Sequence, residues 1–251
     1  MAEALAWPAG LALLGLVLGS FIGALVLRWS QGRSVMHGRS ACDACGRVLR
    51  ARDLVPVLSF VALRGRCRDC GAAIDRLQLM CELTAAAIGL AAGIVAPGPA
   101  ALAGAVFGWL LLALGGLDLL ALWLPDRLVA LLAVAGLAAM ASGTAPPLAD
   151  RLIGGGAGFA SLWLVGWAYR RLRGREGLGG GDPKLFGAIG LWLGWRLLPA
   201  VLLIACLVGL GVVGWRLANG RRVAGSDAMP LGTLLAVAAY PAWLAMLAWP
   251  A

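Results

Sequence analysis

The sequence predicts an all-α polytopic membrane protein: about eight transmembrane helices and one cytoplasmic zinc-binding loop. Three observations carry that prediction. Of 251 residues, 61% are hydrophobic and only 13% are charged, about half the charged share of a soluble globular domain. Mean hydropathy is +0.89, so polar side chains are too few to cover a water-soluble fold of this length. The third observation is the clustering of arginine and cysteine in one polar stretch near the N-terminus. Together they exclude an ordinary cytosolic enzyme, a disordered scaffold and a disulfide-stapled secreted module.

Apolar stretches long enough to cross a hydrocarbon core of roughly 30 Å lie at about 8–27, 77–96, 100–118, 127–143, 152–168, 197–216 and 230–249. An eighth, at about 185–195, is shorter and would cross only if tilted or in a locally thinned bilayer. The first stretch does not read as a cleavable signal: no basic segment precedes it, and Arg28 and Trp29 follow. The chain therefore divides into a first span (1–27), a polar loop (28–76) and a membrane-embedded remainder (77–251). Glycines such as those at 154, 155, 156 and 158 follow no strand, so close helix packing explains them better than a nucleotide fingerprint.

The formal net charge is +9, and 20 of the 21 basic residues are arginine. Such a balance can signal nucleic acid, but in a membrane protein arginine marks cytoplasmic loops. With the 28–76 loop cytoplasmic, eight spans put 19 basic residues on that side and leave only Arg151 and Arg196 outside. Both termini are then expected on the outer face.

The polar loop carries Cys42-Asp43-Ala44-Cys45-Gly46 and, after twenty residues, Cys67-Arg68-Asp69-Cys70-Gly71. Paired C-x-x-C knuckles of this kind bring four sulfurs to one zinc ion, and the following glycine frees the backbone to turn. A reducing cytoplasm argues against disulfides. Four thiolates close the tetrahedron, so the site reads as structural, not catalytic. Cys81 and Cys206 read as small buried hydrophobes, and His37, the only histidine, as an exposed loop residue.

Ionisable groups at the end of a membrane span are functional candidates. Besides Glu82, these are Asp118, Asp126 and Asp182, all expected at the cytoplasmic face. With one histidine and no H-e-x-x-H pattern, neither a serine–histidine pair nor a zincin is available. Two adjacent carboxylates sharing a proton can activate water. Asp118 and Asp126 are eight residues apart, about 12 Å along a helix, with Pro125 between them. Asp126 has a ready reading as the N-cap of the fourth span. Asp182 could also be a cap, although Gly179, Gly180 and Gly181 before it would admit a peptide backbone closely.

These residues resemble the bacterial type IV prepilin peptidases, polytopic aspartic proteases with a G-x-G-D motif. The likeness runs from about Gly19 to Ala242. It includes Gly19-Ser20-Phe21-Ile22, the paired knuckles with the 53–59 segment between them, Glu82, the Asp118 to Asp126 block, the Glu176 to Lys184 block and Met229-Pro230-Leu231-Gly232. The resemblance implies that residues 77–251 form an aspartic peptidase core with Asp118 and Asp182 as the catalytic pair. Gly179, Gly181, Glu176, Lys184 and Asp126 would support the site or admit substrate. It implies substrates, too: the precursors of type IV pilins or type II secretion pseudopilins, cut at the cytoplasmic face of the bacterial inner membrane. Many members also methylate the new N-terminus with S-adenosylmethionine. This sequence departs from the family at Gly23, where Asn is usual, and at Pro183, where Val or Ile is usual. Acidic Glu176, Asp43, Asp53 or Asp69 would help to recruit a basic leader. The competing readings are a small cation- or proton-coupled transporter, for which no paired broken helices are evident, and a membrane-tethered nucleic-acid binder. Neither gives the whole set of motifs a role, and no nucleic-acid partner is expected.

Overall fold

The computed structural model describes residues 2–35, 39–221 and 228–249. Among them are nine α-helices: α1 (Ala2–Trp29), α2 (Leu58–Ala62), α3 (Arg76–Val95), α4 (Pro99–Ala121), α5 (Asp126–Ala138), α6 (Leu148–Arg173), α7 (Gly181–Leu193), α8 (Leu198–Ala218) and α9 (Leu231–Ala248). Short 3-10 turns occur at Ala51–Asp53 and Ala139–Ser142. No extended strand forms among the described residues. Isolated bridges, Ala41 to Val48 and Arg66 to Ala73, close the two cysteine knuckles.

Each apolar stretch read from the sequence lies on a helix. Six helices, α1, α3, α4, α6, α8 and α9, are long and apolar enough to cross a membrane, as expected of a multi-pass protein. The other two, α5 and α7, have 13 residues each, or about 20 Å of helix. Their apolar patterns are cut short by turns. The first passes into 3-10 geometry and ends at Gly143 (φ +70°), and α7 ends at Gly194 (φ +70°), conformations that favour glycine.

The chain forms two compact units, residues 1–113 and 114–251. In the first, α1 and α3 pack through glycine. A Cβ on Gly19 would stand 2.6 Å from the Cys81 carbonyl oxygen, and one on Gly93 only 2.5 Å from Pro8 Cα. Larger side chains would force the helices apart, as expected of small-residue seams in membranes. Trp109 donates its indole N–H to the Ala85 carbonyl oxygen at 2.9 Å.

In the second unit the glycine run of α6 meets α7. A Cβ on Gly154 would lie 2.5 Å from the Gly190 oxygen, and one on Gly158 would lie 2.8 Å from that of Phe186. Arg151, expected in an outer loop, is instead 1% exposed. Its guanidinium donates to the carbonyl oxygens of Gly136, Pro146 and Leu191 at 2.8, 2.8 and 3.0 Å, and to those of Thr144 and Ala145. One planar fork thus ties the end of α5, the turn before α6 and the end of α7 together. Carbonyls left over at helix ends and turns need such donors.

Candidate active site

Asp118 lies in the last full turn of α4, followed by a tight turn through Leu122 (φ +50°) to Pro125. A non-glycine residue with positive φ is uncommon and marks a constrained connection. Asp182 is the second residue of α7, after Gly181. Both carboxylates are buried, at 5% and 8% exposure, and Asp182 lies near enough to Asp118 to feel its charge.

Leu124 explains how the surrounding backbone comes so close. A Cβ on Gly181 would sit 2.8 Å from Leu124 Cβ. One on Gly232, at the start of α9, would sit 3.0 Å from both Leu124 Cδ1 and Asp118 Oδ2. The ends of α4, α7 and α9 therefore converge on one buried leucine, with glycine at two of the contacts.

Thr233 completes the setting of Asp118. Its backbone N–H donates to Asp118 Oδ2 at 2.8 Å. Its hydroxyl lies 2.8 Å from the Gly115 carbonyl oxygen and 3.2 Å from Asp118 Oδ2. As the third residue of α9, after the cap residue Pro230, Thr233 has an N–H with no partner inside its own helix. Asp118 supplies that partner from another helix, as an N-cap side chain would. Sequence reasoning picked out the 229–232 segment but gave Thr233 no part. The only signal was its position in the first turn of a span, where N–H groups need acceptors.

The other sequence candidates separate. Asp126 does not cap α5: that place is held by Pro125, with no side-chain bond. Instead its carboxylate accepts from Lys184 Nζ at 2.7 Å in an exposed ion pair. Asp182 is likewise no cap, since Gly180 holds that position. A Cβ on Gly179 would stand 3.0 Å from Asp182 Oδ2, so this glycine makes room for the carboxylate itself. Glu176 is exposed and pairs with Arg170 at 3.5 Å. Trp163 and Trp167 of α6, residues 176–180 and Pro183 line an open groove of about 210 Å³.

In the first unit the four knuckle cysteines come together. Their Sγ atoms all lie within 4.8 Å of one another, and Cys42 and Cys70 are 3.9 Å apart. Tetrahedral ligation with sulfur at about 2.3 Å from zinc sets sulfurs about 3.8 Å apart, so this cluster could hold a metal ion. The backbone N–H groups of Cys70 and Asp69 draw the Cys67 thiol down to about 7. Cys70 goes the other way: the Ala72 N–H favours its thiolate, but the Cys67 sulfur, burial and the Cys45 and Cys42 sulfurs outweigh it and push it up to about 12. Asp43, Asp53 and Asp69, candidates for attracting a basic leader, each pair with an arginine: Arg33, Arg68 and Arg47. The Arg68 side chain, against burial, holds the Asp53 carboxyl below its usual range.

Cys81 is buried, as expected, whereas Cys206 is exposed, because α8 turns that face outward. Glu82 is 4% exposed and accepts from the Val57 N–H at 2.7 Å. Over Gly23 lies Gln78, whose Oε1 would be 2.7 Å from a Cβ there. The amide usual at that position in the family thus has no room while Gln78 keeps this place. His37 falls outside the described residues.

Comparison with known proteins bears on both units. The model of the bacterial peptidase A24 N-terminal domain matches residues 13–95, and that of the type IV leader peptidase family matches 105–214. A prepilin leader peptidase/N-methyltransferase of Burkholderia pseudomallei (strain K96243) is 41% identical over 254 residues, spanning 89% of this chain and 80% of the relative. The chain belongs to this family. Proteins with the same description from Aeromonas salmonicida (strain A449) and Klebsiella pneumoniae are each 40% identical, over 85% and 79% of this chain and 72% and 90% of theirs. No solved structure matches. Within the family frame, Asp118 and Asp182 fall inside the leader peptidase match, while Thr233 lies beyond its end.

Proposed function

We propose that this protein is a membrane aspartic endopeptidase that removes the leader from type IV prepilins or type II secretion pseudopilins. The observation that carries the reading is the buried pair Asp118 and Asp182, brought together around Leu124 in a chain of the leader peptidase family. One carboxylate takes a proton from water as its oxygen adds to the scissile carbonyl carbon. The other gives its proton to the carbonyl oxygen. As the tetrahedral intermediate collapses, the C–N bond breaks, the leaving amine takes the proton held by the first carboxyl, and a hydroxyl of the intermediate returns its proton to the second. Asp118 has its Oδ2 fixed by Thr233, so its carboxylate is already oriented for this work. The groove at 176–180 and Pro183 would receive the substrate chain, with Glu176 at its rim. Asp126 and Lys184 support the site from outside through their ion pair.

The protein would act at the cytoplasmic face of the inner membrane, with both termini outside, a reading that the arginine-rich 28–76 loop supports. The four cysteines would hold zinc, which suits their number, softness and spacing. N-methylation of the freed N-terminus, with S-adenosylmethionine as donor, would follow cleavage. A transporter reading is not favoured, since it gives the cysteine knuckles no role. Incubation of the detergent-purified protein with a prepilin, followed by mass, tests the peptidase reading. A product shortened by its leader with wild-type protein, and an intact precursor with Asp118→Asn, is the expected result; full cleavage by that variant overturns the pair.

A further inference from the structure

Helix α2 has five residues, and its two faces differ. Ser59, Phe60 and the following Leu63 turn inward and line a cavity of the first unit. Leu58 and Val61, three residues apart and so on one side of the turn, are 69% and 64% exposed. Leu54 and Val55, just before the helix, are exposed as well. A patch of large apolar side chains is costly to leave in water and marks a surface that meets something else.

Glu82 fixes the height of this patch. Val57, the residue before α2, donates its N–H to the Glu82 carboxylate at 2.7 Å. Glu82 is six residues past Arg76, the first residue of α3, or about 9 Å along the helix. Its neighbour on α1 is Gly19, where a Cβ would stand 2.6 Å from Glu82 Cα. Arg28, at the polar end of that span, lies nine residues further on, about 13 Å away. The Glu82 side chain leans back toward the start of α3, so Val57 stands somewhat nearer to the two arginines than Glu82 Cα does. Helix α2 therefore begins below the charges that bound the two spans, within the roughly 5–10 Å that an interfacial helix reaches into a bilayer. Val57 holds φ +60° there, an outlier for a β-branched residue that persists only where the surroundings impose it.

Charge favours the same neighbour. Residues 28–76 carry ten arginines and four aspartates. Asp43, Asp53 and Asp69 are already paired with arginines, and Asp75 caps α3 through the Leu77 N–H. Arg50, Arg52 and Arg64, on both sides of α2, are exposed and make no ion pair among the described residues. An apolar turn flanked by unpaired arginines would repel a basic leader; it suits lipid phosphates over acyl chains.

We propose that α2 is an interfacial helix: Leu58 and Val61 enter the acyl boundary of the leaflet beside the 28–76 loop, and Arg50, Arg52 and Arg64 meet the phosphates of anionic lipids. So short a helix binds a bilayer weakly by itself, but α1 and α3 tether it at the surface. The loop is then held to the membrane at its middle as well as at its two ends, which limits how far the cysteine knuckles can swing. The proposal goes beyond the peptidase reading and does not depend on it.

The test is photocrosslinking of the full chain in nanodiscs of phosphatidylcholine and anionic phosphatidylglycerol, about four to one. The residue p-benzoylphenylalanine, which bonds to nearby C–H groups under light, is placed at Leu58, at Val61 and, as a reference within a span, at Leu13, exposed on α1. Melting temperature reports folding for each variant. Lipid adducts at both α2 positions, read by mass, are the expected result. Phosphatidylglycerol should exceed its bulk share in those adducts by at least about threefold, and the triple substitution Arg50→Gln, Arg52→Gln, Arg64→Gln should bring it back to that share. No lipid adduct at Leu58 or Val61 while Leu13 gives one, or adducts there to a second protein chain in place of lipid, would overturn the interfacial placement. Adducts that follow the bulk lipid ratio with the arginines intact would overturn their part in it.

Discussion

Replacing Thr233 with valine is the sharpest perturbation of the carboxylate site, because it removes one hydroxyl and little else. The branched shape stays, and so does the backbone N–H that donates to Asp118 Oδ2 at 2.8 Å. What goes is the hydroxyl placed 2.8 Å from the Gly115 oxygen and 3.2 Å from Asp118 Oδ2. A hydroxyl has one proton, which it shares between these two acceptors, and in doing so it restrains the carboxylate relative to its own helix. A hydrogen bond to a charged group contributes about 1.5–3 kcal/mol. At 1.36 kcal/mol per decade, that amounts to a fall in kcat of roughly 10–100-fold. Because Thr233 acts through Asp118 and not on the prepilin, KM should hold near its wild-type value. Thr233→Ser restores the hydroxyl and should recover most of the rate. The assay is leader removal from a purified prepilin, followed by mass under initial-rate conditions. A Thr233→Val rate within about threefold of wild type would refute the positioning argument, as would a loss that serine does not rescue.

Further expectations follow from the same geometry. Gly232→Ala places a methyl 3.0 Å from both Asp118 Oδ2 and Leu124 Cδ1 and should cut the rate on the order of 100-fold by displacing the carboxylate; prepilin cleavage kinetics measure it. Asp126→Asn breaks only an exposed ion pair with Lys184, so stability should change by less than about 1 kcal/mol and prepilin cleavage should continue, in contrast to Asp118→Asn. Arg151→Met leaves several buried carbonyls without their donor and should cost more than about 3 kcal/mol, seen as a melting temperature lower by on the order of 10 °C. Cys42→Ser should lower bound zinc well below one equivalent per chain, as measured by metal analysis, since the cluster loses one of four sulfurs.

What could be read from the sequence was whatever local pattern dictates. Apolar runs marked the helices, C-x-x-C-G marked each knuckle, and the scarcity of acids made Asp118 and Asp182 conspicuous. Long-range partners were not legible. Arg151 looked like an outer-loop charge, because nothing local says that two helix ends and a turn will point their carbonyls toward it. Asp126 followed a proline in the pattern of a cap, yet a lysine 58 residues away claims its carboxylate. Thr233 is 115 residues from Asp118, and no spacing rule joins them. The limits of α5 and α7 were missed for a different reason. Hydropathy counts apolar residues, whereas these helices stop where the backbone turns through glycine.

The central claim, that Asp118 and Asp182 act as one unit on a prepilin, is tested most directly by comparing three variants: Asp118→Asn, Asp182→Asn and the double substitution. Leader removal is followed by mass, with melting temperature as the measure of folding. If the two carboxylates share the work, each single variant loses about as much activity as the double, since neither acts without the other. Losses that multiply, or a single variant that still cleaves at near wild-type rate, would contradict the account.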